Sequence, residues 1–493
     1  MRHVILFSFI VFLSANSYAQ YNEKYRPQYH FSPQKSWIGD PDGLVKWKGL
    51  YHLFWWGHAV SSDLIHWKEL PYPMKGGDNS FHYFSGSVVV DKNNTAGFGD
   101  STMIAVYTAH KNDNVPEYQA ISYSNNDTIF NYYKNNPVLD IKSNSFRDPQ
   151  VFWYAPEQQW IMIVTHPHLH KVSFYASPDL KQWKYLSEFG PMAAHDNDWE
   201  VPDFFQLPVD DDASNKKWVL TIGQGPNRMQ YFLGDFEGEK FIPDAQTIEQ
   251  NKKQDDALWI DYGADYYAAR TWRNIDDSAD KNIIMLAWMG NWSYAGNVPS
   301  KWGKGFETIP RNVCLKTFKQ GVRLVQSPIE ALKILRKDSV QFSNKQFNKT
   351  FVVNEFQPKQ NTYELETTID MGNATIVGLN VLVGEERKLI IGYDKSRQRL
   401  FIDRTKCSDF TTDSVFNKKF PIKVSAPLVL KNDKLTLHIF VDASSVEVFA
   451  NDGEITMSCT TFPSSAQTGI TFFGDGKSSV QNFKAWMLDS IWK

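Results

Sequence analysis

The chain has only three cysteines in 493 residues, Cys314, Cys407 and Cys459, so it is not a disulfide scaffold. They are expected as buried free thiols, with a single Cys407–Cys459 bridge as the alternative. Blocks of one charge sign are also missing. The net charge is −3, and nothing in its distribution favours nucleic acid or an anionic membrane. A neutral partner fits better. Beyond the N-terminus, no apolar run is long enough to span a bilayer, so membrane insertion is not expected. Long helical periodicity is absent as well. The first residues are a case apart. Arg2 and His3 precede an apolar run from Val4 to Leu13, and Ser17-Tyr18-Ala19 supplies small residues where a signal peptidase needs them. Residues 1–19 are expected to be a signal peptide that directs the chain to the periplasm or outside the cell. No cysteine follows to carry a lipid anchor.

What the chain does have is aromatic residues, at 15% with 17 Trp and 22 Tyr. Most are expected to pack a β-rich core, and the rest suit stacking on the flat apolar faces of sugars. Short strand-like runs such as Tyr51-His52-Leu53-Phe54-Trp55 and Trp160-Ile161-Met162-Ile163-Val164 alternate with Gly, Asn, Asp and Pro turns. One unit repeats. Ser61-Ser62-Asp63-Leu64 through Leu70 matches Ser177-Pro178-Asp179-Leu180 through Leu186, and Ser122–Phe130 is a weaker echo. A repeated supersecondary unit in an all-β region favours a propeller. The length suits two domains. The reading places a propeller over residues 20–325, a linker over 326–340, and a β-sandwich over 341–493.

Three acidic motifs carry the chemistry: Trp37-Ile38-Gly39-Asp40-Pro41-Asp42-Gly43, Phe146-Arg147-Asp148-Pro149, and Trp199-Glu200-Val201-Pro202-Asp203. Each sets a carboxylate between aromatics and a proline, and proline fixes the local backbone. Carboxylates held this way can have their pKa tuned. Two tuned carboxylates are the minimum needed to cleave a glycosidic bond.

With these motifs the chain resembles glycoside hydrolase family 32, which holds invertases, levanases, inulinases and fructosyltransferases. Trp56-Gly57-His58, Phe84-Ser85-Gly86-Ser87, Asp261–Ala269 and Thr308-Ile309-Pro310-Arg311 add to the resemblance, as does the late segment from Val441 to Gly453. It implies an all-β fold, a five-bladed β-propeller followed by a C-terminal β-sandwich. It implies retaining hydrolysis of β-fructosides with Asp40 as nucleophile, Glu200 as acid/base and Asp148 as transition-state stabiliser. Trp37, Asp42, Trp56, Phe84, Ser85, Arg147 and Asp203 are the expected substrate-binding residues, and no metal or organic cofactor is implied. Trp199 and the charge of Asp40 are expected to keep the Glu200 proton in place.

The match departs from the family at three places. Gly39 and Asp42 stand where members have Asn, and the loop before Trp56 is short. Asp42 is expected to accept a hydrogen bond from the sugar as an ionised carboxylate, and to set substrate choice together with Gly39 and that loop. Transfer to a sugar acceptor on the same scaffold, and glycan binding without catalysis, are the alternatives that the residues leave open. The oligomeric state is not legible in the sequence.

Overall fold

A computed structural model describes residues 21–75, 81–126, 128–250, 257–274, 283–408 and 413–492. The expected signal peptide lies outside the described residues. The fold is nearly all β. Blade 1 is an antiparallel meander of Gly43–Trp47, Leu50–Phe54, His58–Ser61 and Trp67–Leu70. Blade 2 is built on His82–Asp91, Thr102–His110, Glu117–Ser124 and Phe130–Tyr132. Blade 3 holds Arg147–Tyr154, Gln159–His166, Lys171–Ser177 and Lys184–Phe189, and blade 4 holds Trp199–Val209, Asp212–Gln224, Arg228–Phe236 and Phe241–Pro243. Blade 5 pairs Tyr267–Thr271, Ile283–Trp288, Arg311–Phe318 and Gly321–Pro328. The ring closes where Arg273 hydrogen-bonds the backbone of Leu44 and Lys46, and where Ser36–Trp37 pairs with Gly303–Lys304.

The sequence repeat has a physical basis. In blade 1 the Asp63 carboxylate accepts the backbone N–H groups of Ile65 and His66, and Leu64 takes a positive φ of 66°. In blade 3 Asp179 does the same for Lys181 and Gln182, with Leu180 at 61°. In blade 2 the Asn126 side chain holds the N–H groups of Thr128 and Ile129. Each is an Asx-type turn joining the third strand of a blade to the fourth.

The innermost strands share a second device. Their pairing slips near the start, between Phe84 and Gly86, Arg147 and Gln150, Glu200 and Asp203, and Tyr267 and Arg270. In three of them a non-glycine residue sits at positive φ: Asp148 at 65°, Val201 at 45° and Ala268 at 55°. Such bulges re-aim side chains, and strain of this kind collects at functional sites.

After blade 5, Glu330–Leu335 forms a 3₁₀ helix, and Arg336–Val352 opens the second unit. Here one sheet folds over on itself. Its last strand, Gly469–Leu488, bends to pair with Ile376–Val383 in its first half and Tyr363–Asp370 in its second. The enclosed core holds Leu379, Ile391, Leu437, Phe472 and Phe483, all fully buried. Cys407 and Cys459 lie buried there, and all three cysteines are free.

The seam between the two units is charged and buried. Arg311 binds Asp261 at 3.0 Å and Ser458 at 2.6 Å, and forms a two-pronged ion pair with Glu447. His30 bridges Asp442 and Glu447, at 2.7 Å to each. Burial alone would lower its pKa, but these two carboxylates push it up to about 9. Removing one partner of a buried pair leaves the others uncompensated, at a cost of about 3–5 kcal/mol. Arg311→Ala is therefore expected to lose about that much stability in denaturant unfolding. A loss no larger than that of an exposed pair, about 1 kcal/mol or less, would contradict the picture.

Candidate active site

The bulged strands bring three of the expected residues together at the propeller axis. Asp40 comes from the loop before blade 1, Asp148 from the first strand of blade 3, and Glu200 from the first strand of blade 4. Ser85, at the bulge of blade 2, donates to Asp40 Oδ2 at 2.7 Å, while Oδ1 is buried without a protein partner. Burial raises the Asp40 pKa against the Ser85 hydrogen bond. Glu200 raises it further, Arg270 and Arg147 oppose, and the outcome is about 6. Asp148 Oδ2 accepts the Val201 N–H at 2.9 Å, the amide turned inward by the bulge of blade 4. Burial, with Arg147 opposing and Glu200 reinforcing, pushes Asp148 up to about 7.

Glu200 is gripped at both oxygens. Arg147 donates to Oε1 from Nη2 at 2.9 Å and Nε at 3.3 Å, and the Tyr267 hydroxyl donates to Oε2 at 2.7 Å. Arg147 also reaches Glu117 at 3.5 Å, which in turn binds His110 at 3.0 Å. Trp199 is not the apolar wall expected beside Glu200. Its ring is fully buried in the core of blades 3 and 4, and its N–H goes to the Ala194 carbonyl at 2.8 Å. Arg147 and Tyr267 take that place.

Other expectations need correcting. Asp203 is fully buried, and both oxygens are occupied by Gln150, Phe204, Thr271 and Arg273. It has no acceptor left for sugar, so it braces blades 3, 4 and 5 instead. Asp42 is also buried, with Oδ1 3.3 Å from the Gly86 N–H. Burial first, then the charge of Asp40, raise its pKa well above the carboxylate range. Burial thus favours the protonated form of Asp42, which can donate as well as accept, where an ionised acceptor was expected. Trp56 is buried and donates its N–H to the Phe84 carbonyl at 2.9 Å. Phe84 stacks on His110 at 4.1 Å. Trp37 stacks on Trp292 with ring centres 5.7 Å apart, and Trp292 leaves half its surface exposed. A Cβ at position 39 would sit 3.0 Å from the Trp37 ring nitrogen, so Gly39 makes room for that indole.

Five contributors escaped the sequence reading: Tyr267, Glu117, Trp292, Arg270 and Glu307. Tyr267 sits inside the Asp261–Ala269 motif, Arg270 directly follows it, and Glu307 directly precedes Thr308–Arg311. Nothing local announces Glu117 or Trp292. Among the described residues, the side chains close enough to share a metal ion are Glu364, Glu366 and His438, in the second unit. Arg336 already ion-pairs with both glutamates.

The raised pKa of Asp148 has a thermodynamic consequence. Its folded value, about 7, exceeds the ordinary 3.8, so the fold favours the protonated form. That stabilisation is complete below the unfolded pKa and is lost as pH rises through the folded one. Asp148→Asn is expected to raise the melting temperature at pH 8 by roughly 3 °C, with a smaller gain at pH 5. A gain that is larger at pH 5 would contradict the assignment.

Comparison with known proteins agrees with this geometry. Residues 30–328 match the glycosyl hydrolases family 32 N-terminal domain, and residues 331–487 match the C-terminal domain of the same family. A levanase of Bacillus subtilis is 37% identical, over 96% of this chain and 72% of its own length. An extracellular exo-inulinase of Aspergillus niger is 36% identical, over 90% of each chain. The crystal structure of exo-inulinase from Aspergillus awamori superposes with a TM-score of 0.86 at 32% identity, covering 96% of this chain and 100% of that one. A β-fructofuranosidase from Schwanniomyces occidentalis, complexed with fructosyl-erythritol, superposes with a TM-score of 0.83 at 27% identity, covering 96% of this chain and 99% of that one.

Proposed function

Because the chain belongs to glycosyl hydrolase family 32, we propose that it is a secreted β-fructosidase that releases fructose or short fructo-oligosaccharides from a fructan, by double displacement at Asp40. It is a glycoside hydrolase, and family 32 enzymes retain anomeric configuration. The observation that carries the site assignment is the meeting of Asp40, Asp148 and Glu200 at the axis, each oriented by a different neighbour. Ser85 orients Asp40, the Val201 amide orients Asp148, and Arg147 with Tyr267 orients Glu200.

In this reading Asp40 attacks the anomeric carbon of the fructosyl unit while Glu200 protonates the departing oxygen. Asp148 accepts hydrogen bonds from ring hydroxyls as positive charge builds beside the ring oxygen. Glu200, now a carboxylate, then takes a proton from a water whose oxygen bonds the anomeric carbon; the bond to Asp40 breaks, which releases β-fructofuranose and restores the Asp40 carboxylate and the protonated Glu200. The Trp37–Trp292 pair offers a flat face for sugar at the funnel mouth. The names of the levanase and exo-inulinase relatives support a fructan as substrate. The extracellular inulinase, and the signal peptide expected at residues 1–19, support secretion.

The test is a panel of levan, inulin, sucrose and short fructo-oligosaccharides, with products resolved over time. Release of fructose or its oligomers from at least one fructan is the expected result. Absence of cleavage across the panel, with measurable binding, would leave the chain a glycan-binding protein.

A further inference from the structure

The cations near the site do not match its anions one to one. Arg147 ion-pairs with Glu200 and Glu117 and also faces Asp148, and Arg273 pairs with Asp203. Arg270, on the first strand of blade 5, is buried beneath the funnel. It donates from Nη1 to the Pro202 carbonyl at 2.6 Å, while Nε and Nη2 are buried without a protein partner. Its electrostatic partners are Asp203, Asp148, Asp42 and Asp40. Glu307, fully buried with both oxygens unpaired, lies within the field of Asp40 and Asp42. The Glu307 segment runs directly against the nucleophile loop. Lys304 accepts the Ile38 N–H at 3.0 Å, and a Cβ at Gly305 would strike the Ile38 carbonyl.

We propose that Arg270 is a positioning residue that assigns the negative charge shared among Asp40, Asp42 and Asp148 to the nucleophile, Asp40, with Asp42 and Glu307 held beside it as neutral acids. This rests on the reading of Asp40 as nucleophile. The physical case starts from cost. A buried guanidinium does not lose its proton, and with unpaired N–H groups it persists only in the field of a nearby anion. Asp203 is already neutralised by Arg273, so the charge that Arg270 balances falls on the three axial aspartates. They cannot all ionise around Arg270 and an Arg147 that also serves Glu200 and Glu117. Asp40 is the least buried of them, and its Oδ2 is already held by a hydroxyl. Asp42 sits deeper, on one long N–H contact and a share of the Ser85 hydroxyl, and Glu307 has none. The raised pKa values run the same way, lower for Asp40 than for Asp148, with Asp42 and Glu307 well above the carboxylate range. The groups facing Asp40 are thus Asp42 on its own loop, Ser85 on blade 2, Arg147 and Asp148 on blade 3, Glu200 on blade 4, Tyr267 and Arg270 on blade 5, and Glu307.

The experiment compares Arg270→Gln, Arg270→Lys and Asp42→Asn with the wild type. The acid limb of kcat/KM on a fructan and a ¹³C-aspartate NMR titration of each protein are both recorded. Arg270→Gln is expected to move the limb and the lowest site titration upward by about one pH unit or more. Arg270→Lys keeps the charge and should bring both back toward the wild-type position. A merely structural role through the Pro202 carbonyl would not follow charge in this way. Asp42→Asn should leave the limb in place, since an Asn replaces an acid that is already neutral. If Arg270→Gln folds and neither readout moves, the proposal is overturned. If Arg270→Gln does not fold, Asp42→Asn decides: a limb that falls by about a unit means that Asp42 carried the charge, and overturns the proposal. Titrations that move in a protein which cleaves no fructan support the charge assignment and refute only the substrate reading above.

Discussion

Asp40→Asn should lower turnover on any fructan by about four or more orders of magnitude while the protein stays folded. Asn has the shape of Asp and can still accept the Ser85 hydroxyl. It cannot form the glycosyl ester on which double displacement depends. Folding and chemistry separate cleanly here. Burial raises the Asp40 pKa to about 6, so at neutral pH the ionised side chain works against the fold. The Asn variant is expected to melt no lower than wild type at pH 7.5. Residual activity within about tenfold of wild type would mean that another group attacks the sugar.

Glu200→Gln is the second large effect. Proton transfer to a poor leaving group is worth about 10²–10⁴-fold, and a loss of that size is expected on levan or inulin. On a fructoside with an acidic leaving group the first step needs less help, so the loss there should be smaller. The second step still needs a base, and Gln is not one, so the fructosyl-enzyme should accumulate. Gln keeps an oxygen for Arg147 or Tyr267 but gives up the charge that Arg147 balances. Equal losses on both kinds of leaving group would assign the acid role elsewhere.

The fold was readable because its elements are local. Strand runs bounded by turns, and the Ser-x-Asp-Leu turn that recurs in blades 1 and 3, are short patterns with short-range causes. The main carboxylates were readable for a related reason, since each lies within two residues of a proline at or just before the first strand of its blade. What stayed hidden depends on convergence. Val201 and Ala268 look like ordinary strand residues, yet their positive φ turns Glu200 and Tyr267 toward the axis. Asp203 looks like Asp40 in sequence, each next to a proline and aromatics. It is two blades of packing that make one a saturated brace and leave the other partly exposed. Asp42 reads as a charged turn residue until its burial is seen, which favours the protonated form. Arg270 and Glu307 belong to no motif taken as catalytic, because their meaning lies in what faces them across the axis.

The central claim is that Asp40 bonds covalently to fructose. It is tested most directly by mixing Glu200→Gln with a fructoside that bears an acidic leaving group, quenching in acid, and mapping the peptides by mass spectrometry. The account predicts one fructosyl unit on the peptide that contains Asp40, lost when Asp40 is also replaced. A fructosyl unit on a different residue, or leaving-group release with no adduct and an inverted sugar product, would contradict it.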